Sequence, residues 1–232
     1  MSLLNKLFAF LGFSTGKNIK STNGQADFLQ KVREQRAGSF PRLSDWRVDN
    51  LHSAIKFRVM HMGIAEVNGY FRDWNIEFKG SSPDFSDMKA VVVIQTNSIQ
   101  TDMIVRDEHL KSPDFFEAHK YPTIEFRSNL VQWRPLRFFS IEGDLTIKNV
   151  TKPVKFEGKL TNFLPKDMLG HPRVGFQLSA EINRQEFNLS WQMELESNDK
   201  AVDDIIKIEV DTEITTPQSM EALQNFLNQM QG

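Results

Sequence analysis

RDEHLKSPDFFEAHKYPTIEF, residues 106–126, interrupts a chain that otherwise alternates apolar and polar residues as strands do. The stretch opens on the charged triplet Arg106, Asp107 and Glu108. Leu110, Phe115 and Phe116 then fall at spacings that suit short helical turns rather than a pleat. Pro113 after Ser112 suits the first turn of a helix, where its missing N–H needs no partner. Tyr121-Pro122 ends the excursion, because a residue before proline is pushed out of the helical region. Ile124 and Phe126 resume the alternation. The spacing predicts a helical plug between strands, bringing Phe115 and Phe116 against an apolar interior.

Around the plug, the alternation defines strands with one apolar face. Ile55, Phe57 and Val59 oppose Lys56 and Arg58. Val67, Gly69 and Phe71 sit on odd positions, whereas Trp74, Ile76 and Phe78 sit on even ones. A bulge near Arg72-Asp73 is expected to absorb that change of parity. After the plug, Ile124, Phe126, Ser128 and Leu130 form one inward set. Further inward sets are Phe139 to Ile147, Val154 to Leu160, Val174 to Ile182 and Ile206 to Ile214, each on alternate residues. Turn signals at Lys148-Asn149, between Pro165 and Pro172, and at Ser197-Asn198-Asp199 separate them. Met88 to Gln95 is apolar on both faces around Val91 to Ile94, so a cover over one face is expected, with the N-terminal or C-terminal helix as candidate. Long one-faced strands joined by short turns argue an antiparallel meander, and closing it on itself removes its edges. The expected fold is all-β: a closed antiparallel barrel of about eight strands with a helical plug and flanking terminal helices.

The chain has 232 residues, 19 Phe against 2 Tyr, no Cys and a formal net charge of −2. Phenylalanine brings apolar area without a polar tip, so many rings should face an apolar space. Interspersed charge with no basic tract excludes nucleic acid as a partner. The absence of cysteine excludes disulfides and thiolate chemistry. Leu3, Leu4, Leu7, Phe8, Phe10, Leu11 and Phe13 form an apolar segment broken only by Lys6, too short to span a bilayer. It reads as an amphipathic helix on a membrane or on the barrel, or as a disordered start, with an uncleaved or atypical signal behind. Residues 14–44 read as a linker with one helix around Ala26 to Arg36. The organisation expected is therefore segment and linker over 1–44, a barrel domain over 45–216, and an amphipathic helix over 217–232. Thr216-Pro217 would cap that helix, with Met220, Leu223, Phe226, Leu227 and Met230 as its stripe.

Several fragments carry a resemblance. Besides residues 106–126 they are Trp46, Asp49, His52-Ser53, Phe57, His61-Met62-Gly63, and Gly69 with Phe71. Further on come Ser98 to Thr101, Gly143 to Ile147, Val150 to Val154, and Arg184 with Phe187. In this order, over roughly residues 45–216, they resemble the YceI-like family. That resemblance implies a lipocalin-like barrel binding a polyisoprenoid, an isoprenoid quinone or a similar amphiphilic lipid.

The residues themselves point to a hollow interior. Gly69, Ser128, Gly143, Gly158 and Ala180 share inward parity with large side chains. Several small residues in one layer would leave volume that an apolar chain could fill, at about 0.8 kcal/mol per buried methylene. The residues expected to line this cavity are Phe57, Val59, Phe71, Phe78, Phe115, Phe116, Phe126, Ile141, Gly143, Leu145, Phe156, Gly158, Phe176, Leu178 and Ile208.

The five histidines give no metal motif. His52 and His61 share a strand but differ in parity, and nothing frames His109 and His119 as ligands. No nucleophile elbow is present. His52, Arg106, Asp107 and Arg184 are expected to form one polar network pinning the plug to the barrel, or to contact a lipid head group. Arg106 or Arg184 would be the natural partner of a phosphate. The leading expectation is a lipid-binding or carrier protein with no catalysis, no metal, and a bound isoprenoid-type lipid in place of a cofactor. An enzyme with a barrel active site, hydrolase or isomerase, is the alternative, and a structural interaction module the third. The sequence leaves room for peripheral membrane contact through the N-terminal segment and for a homodimer. Cytoplasmic or membrane-surface placement is preferred over periplasmic.

Overall fold

The computed structural model describes residues 45–80, 87–134, 137–193, 196 and 200–231. The expected N-terminal segment, its linker helix and the turn at Ser197-Asn198-Asp199 lie outside them. The strands are β1 (Arg47–Val48), β2 (Ala54–His61), β3 (Ala65–Phe71), β4 (Trp74–Lys79), β5 (Lys89–Gln95), β6 (Ile99–Gln100), β7 (Thr123–Trp133), β8 (Phe138–Ile147), β9 (Val150–Leu164), β10 (Arg173–Asn183) and β11 (Val202–Thr215). Helix α1 (Ile104–Lys111) precedes β7, and α2 (Pro217–Gln231) ends the chain. All strand pairings are antiparallel, and the curled sheet runs β4-β5-β7-β8-β9-β10-β11-β2-β3-β6, with β1 added along β11.

The fold is all-β and antiparallel, as the alternation requires, but the expected eight unbroken strands become eleven segments and the ladder has two ends, β4 and β6. The parity change explains the division. Phe71 pairs with Ile99, whereas Trp74 pairs with Ile94. Three steps on one strand thus face five on the other. The surplus residues form a 3-10 turn, Thr96–Ser98, so the irregularity lies mainly on the partner strand rather than at Arg72-Asp73. Backbone bonds from Arg72 to Ser98 (3.1 Å) and from Gln95 to Asp73 (2.8 Å) hold the two bends together.

Two further bulges reset the inward face. Between Ser128 and Leu130 the register with β8 shifts, which sends Leu130 outward and Val131 into the core. Unbroken alternation would have placed Leu130 inside. A shift at Gly175/Phe176 does the same for β9, burying Phe163 and exposing Leu164. The buried Ser128 hydroxyl accepts the Ala90 amide proton at 2.7 Å, which satisfies a polar group on the apolar face.

The plug differs from its sequence reading in where the helix lies. Helix α1 starts at Ile104 and stops before Pro113, with Ser112 extended at its C-cap. Proline therefore ends the helix rather than starting one, because it disfavours the helical region for the residue before it. Tight turns follow, closed by Phe116 N–H to the Leu110 carbonyl (3.0 Å) and Tyr121 N–H to that of Glu117 (2.9 Å). Thr216 caps α2 as expected, its hydroxyl accepting from the Ser219 amide at 3.4 Å, and Leu223 is the buried member of the stripe. On β5, Val91 and Val93 are half-buried on the outer face between Glu77, Arg127, Asn75 and Glu125.

The expected hollow at the glycines is not there. A methyl group on Gly69 would collide with the Phe57 ring, one on Gly158 with the Phe139 ring, and one on Gly143 with the Arg127 carbonyl and the Phe126 ring. Each glycine is the floor on which an aromatic ring lies, a pairing that fills the missing side-chain volume from the neighbouring strand. Phe139 continues into a packed aromatic cluster, 4.8 Å from Trp133 and 5.8 Å from Phe176 between ring centroids. That cluster, with Leu160, Phe163, Val174 and Ile214, makes one half of the interior solid.

At Gly143 the obstacle includes backbone, which cannot rotate away. Gly143→Ala should therefore lower stability by about 2 kcal/mol, read as a shift in the urea midpoint. An unchanged midpoint would show that β7 and β8 can separate freely there.

Candidate functional site: an apolar cavity under the plug

The other half of the interior is hollow. A cavity of about 190 Å³ lies beneath the plug; Lys56, Thr212 and Arg184 stand along its wall, but the surface open to the cavity is apolar. Inward residues of β2, β5, β7 and β8 form its sides, and Leu110, Phe115 and Phe116 of the plug form its roof. Ile147, Ile182, Leu189 and Val202 place it at the end of the sheet where the β8–β9 turn and the β10–β11 connection lie.

Of the residues expected to line it, Phe57, Val59, Phe71, Phe78, Phe115 and Phe116 do so. Phe126, Ile141, Leu145, Phe156, Leu178 and Ile208 join them. Gly143, Gly158 and Phe176 do not. The two glycines are covered by rings, and Phe176 belongs to the packed half. Parity reports which face a residue occupies and says nothing of its height along the strand, so it could not separate the halves.

The plug is held by aromatic contacts. Phe116 meets Phe71 edge-on at 6.1 Å. Phe115 packs at 5.3 Å on Trp191, and both rings meet His109 edge-on at 5.1 and 5.0 Å. Trp191 was missed, since its segment has no alternation to mark it. His109 Nε2 lies 3.0 Å from Asp114, so it is tied to the plug itself.

The four polar residues expected in one network belong to three separate sets. Arg106 donates to the Thr101 hydroxyl (2.7 Å) and carbonyl (2.6 Å), and buried Asp107 accepts the Thr101 amide at 2.8 Å. These two bind the plug to its own entry strand. Arg184, 2 % exposed, donates to the carbonyls of Leu189 (2.5 Å), Trp191 (2.8 Å), Val202 (3.2 Å) and Asp203 (2.9 Å), with Asp204 at 3.2 Å. Four of the five N–H donors of the guanidinium are thus given to carbonyls, with the Asp204 carboxylate paired beside them. Burial pushes its proton affinity down, with Asp204 and Asp203 opposing. Arg184 thus closes the β10–β11 connection over the cavity end.

His52 joins a third set at the opposite end, which sequence reasoning missed. Its Nδ1 lies 2.9 Å from fully buried Asp49. Arg173 donates to Asp49 (2.5 Å) and Glu213 (2.8 Å) and lies 3.3 Å from Asp167, which accepts from Ser219 of α2 at 3.2 Å. Residues more than 120 apart meet here, and no local pattern announces such a meeting. Asp49, His52 and Glu213 have the donor atoms for a cation, within 4.8 Å of one another. The guanidinium already holds both carboxylates, so the positive charge of this site is built in. Burial alone would raise the Asp49 carboxyl, but hydrogen bonds from His52 and Arg173 outweigh it and hold the group at about 2. The bond to Asp49 raises His52, with burial opposing.

Three comparisons bear on what such a chain is. The model of the YceI-like domain matches residues 46–214. The protein YceI of an Escherichia coli strain is 31% identical over 210 residues, covering 90% of this chain and 96% of its own. Crystalline Campylobacter jejuni YceI protein is 27% identical, covers 67% of this chain and 88% of its own, and superimposes with a TM-score of 0.57. A domain of Saccharophagus degradans described as polyisoprenoid-binding shares the fold at a TM-score of 0.56 and 12% identity, covering 75% of this chain and 99% of its own.

Two outcomes are expected here. Asp49 sits below its ordinary value, so its contribution is complete above about pH 4 and is lost as pH falls towards 2. His52 is raised, so its contribution is complete below 6.5 and is lost as pH climbs through its folded-state value. Asp49→Asn should cost about 3 kcal/mol near pH 5 and flatten the acid limb of a stability–pH curve; an unchanged limb would remove the pair from the stability account. In the plug, Phe115→Ala should cost about 3 to 4 kcal/mol because that ring is core. Half-buried Phe116→Ala should cost clearly less in the same melts, and equal costs would contradict the division of roles.

Proposed function

The chain belongs to the YceI-like family, and from that premise we propose that it binds the apolar chain of an amphiphilic lipid, of polyisoprenoid or isoprenoid-quinone type, without catalysis. The wholly apolar cavity carries this reading. The surface open to the cavity exposes no polar atom and so offers nothing to orient a polar substrate, while each methylene placed inside it contributes about 0.8 kcal/mol. The two charged residues along the wall are already engaged: Lys56 with Asp211 at 2.6 Å, and Arg184 with its carbonyls. That leaves them poor candidates for acid–base work and supports binding over turnover. The polyisoprenoid description attached to the Saccharophagus domain agrees with this chemistry, and we carry it over as part of the proposal.

The same reading takes the sheet as a functionally closed barrel. If β3 with β4, and β5 with β6, act as single bent strands, eight strands surround the cavity, and hydrogen bonds at the two bends bridge the seam. Size constrains the ligand. An apolar cavity of about 150 Å³ accommodates a benzene-sized guest. The 190 Å³ present here suits a short terminal length of chain. A longer length requires the Phe57, Phe71 and Phe116 rings to turn aside, and the polar end remains outside.

Solvent extraction of the purified chain followed by lipid mass spectrometry is the direct test, with uptake of an apolar fluorescent probe as its companion. Ile208→Phe, which places a ring in the cavity, should reduce probe affinity about tenfold or more while leaving the fold intact. A wild-type chain that purifies without lipid and takes up no probe would end this reading.

A further inference from the structure

The β2–β3 turn, the plug and the β10–β11 connection meet at one end of the sheet. Met62 N–H bonds the Ala201 carbonyl at 3.0 Å, and Ala201 N–H bonds that of Met193 at 3.1 Å. Trp191, two residues before Met193, packs on His109 of α1. The β8–β9 turn joins them through Lys148, 3.3 Å from the Asn188 carbonyl. This is the end under which the cavity lies.

The same end carries the most exposed large apolar side chains of the described residues: Ile104 at 81%, Ile64 at 80% and Val105 at 75%. Met103 and Met193 are also exposed. Helix α1 turns Leu110 to the cavity and buries Asp107, so Ile104 and Val105 at its start face outward. Ile64 sits at a turn tip. Such projecting residues on three separate segments do not make the flat, complementary face that a protein partner needs. A fluid bilayer requires no complementarity, only apolar side chains able to sink about 5–10 Å into its outer layer.

We propose that this plug end is a docking surface for a lipid bilayer, with Ile64, Met103, Ile104, Val105 and Met193 inserted and the plug that roofs the cavity facing the membrane. The proposal rests on the binding function above, since an apolar cavity directly beneath this end is what selects a membrane as occupant. A ligand would then pass between bilayer and cavity without its chain crossing water. Exposed charges at this end are of both signs, Asp102, Glu108 and Asp114 beside Lys200. Apolar insertion rather than charge therefore drives the contact, and uncharged phosphatidylcholine vesicles should suffice.

The full chain is sedimented with phosphatidylcholine vesicles, as wild type, as the Ile64→Ser/Ile104→Gln/Val105→Gln variant, and as Leu7→Ser/Phe10→Ser in the N-terminal apolar segment. The wild type should sediment. The triple variant should lose at least about tenfold in partition, and the N-terminal variant should keep most of its binding. A wild type that stays in solution, a triple variant that binds equally, or a loss confined to the N-terminal variant overturns the proposal. So does an absolute need for anionic lipid, or gel filtration showing that the triple substitution splits a dimer which binds no vesicles. Should the triple variant melt early, Ile64→Ser alone carries the test, with an expected loss of about threefold. Probe uptake without vesicles separates the two ideas. The triple variant should retain it, and a wild type lacking it ends the binding function while sedimentation still decides the docking surface.

Discussion

Aromatic rings laid across inward glycines decide how this interior is filled. Phe57 over Gly69, Phe126 over Gly143 and Phe139 over Gly158 each place a ring where a facing side chain would stand. The strands can approach because glycine leaves the space, and the ring then seals it. In one half of the sheet the rings continue into Trp133, Phe139 and Phe176, which pack against one another. In the other half the wall is aliphatic and phenylalanine, the rings meet at edges, and the packing does not close. A rigid floor under a soft hollow follows from where the rings have partners.

Each end of the sheet is tied by a guanidinium, that of Arg184 buried and that of Arg173 partly so. Arg173 gathers Asp49, Glu213 and Asp167, and through Asp167 the start of α2. Arg184 gathers the carbonyls of the β10–β11 connection. The two differ in what they bind, and so in consequence. Carboxylates make the first tie sensitive to acid, whereas the second rests mainly on carbonyls and meets acid only through Asp204. The acid-sensitive tie holds the solid half. The plug, which must move if long chains are to enter, is fastened by Thr101 and by aromatic edges, contacts that re-form easily.

Alternation over long segments was enough to establish the all-β antiparallel fold and its inward face, because the strand period of two leaves one face apolar and only burial satisfies it. It also located the plug, the cap of α2 and most of the cavity wall. The quoted fragments were enough to indicate the family. The tertiary structure alone decided where bulges reset the face, as at Leu130, since a bulge is a relation between two strands. It decided that Pro113 ends a helix rather than starting one. It decided that the glycines are covered rather than vacant, because a ring from the next strand is invisible to parity. And it assembled Asp49, His52, Arg173 and Glu213 while keeping Arg106 and Arg184 apart. Such contacts depend on strand order and register across the sheet, long-range quantities that no local pattern of residues encodes.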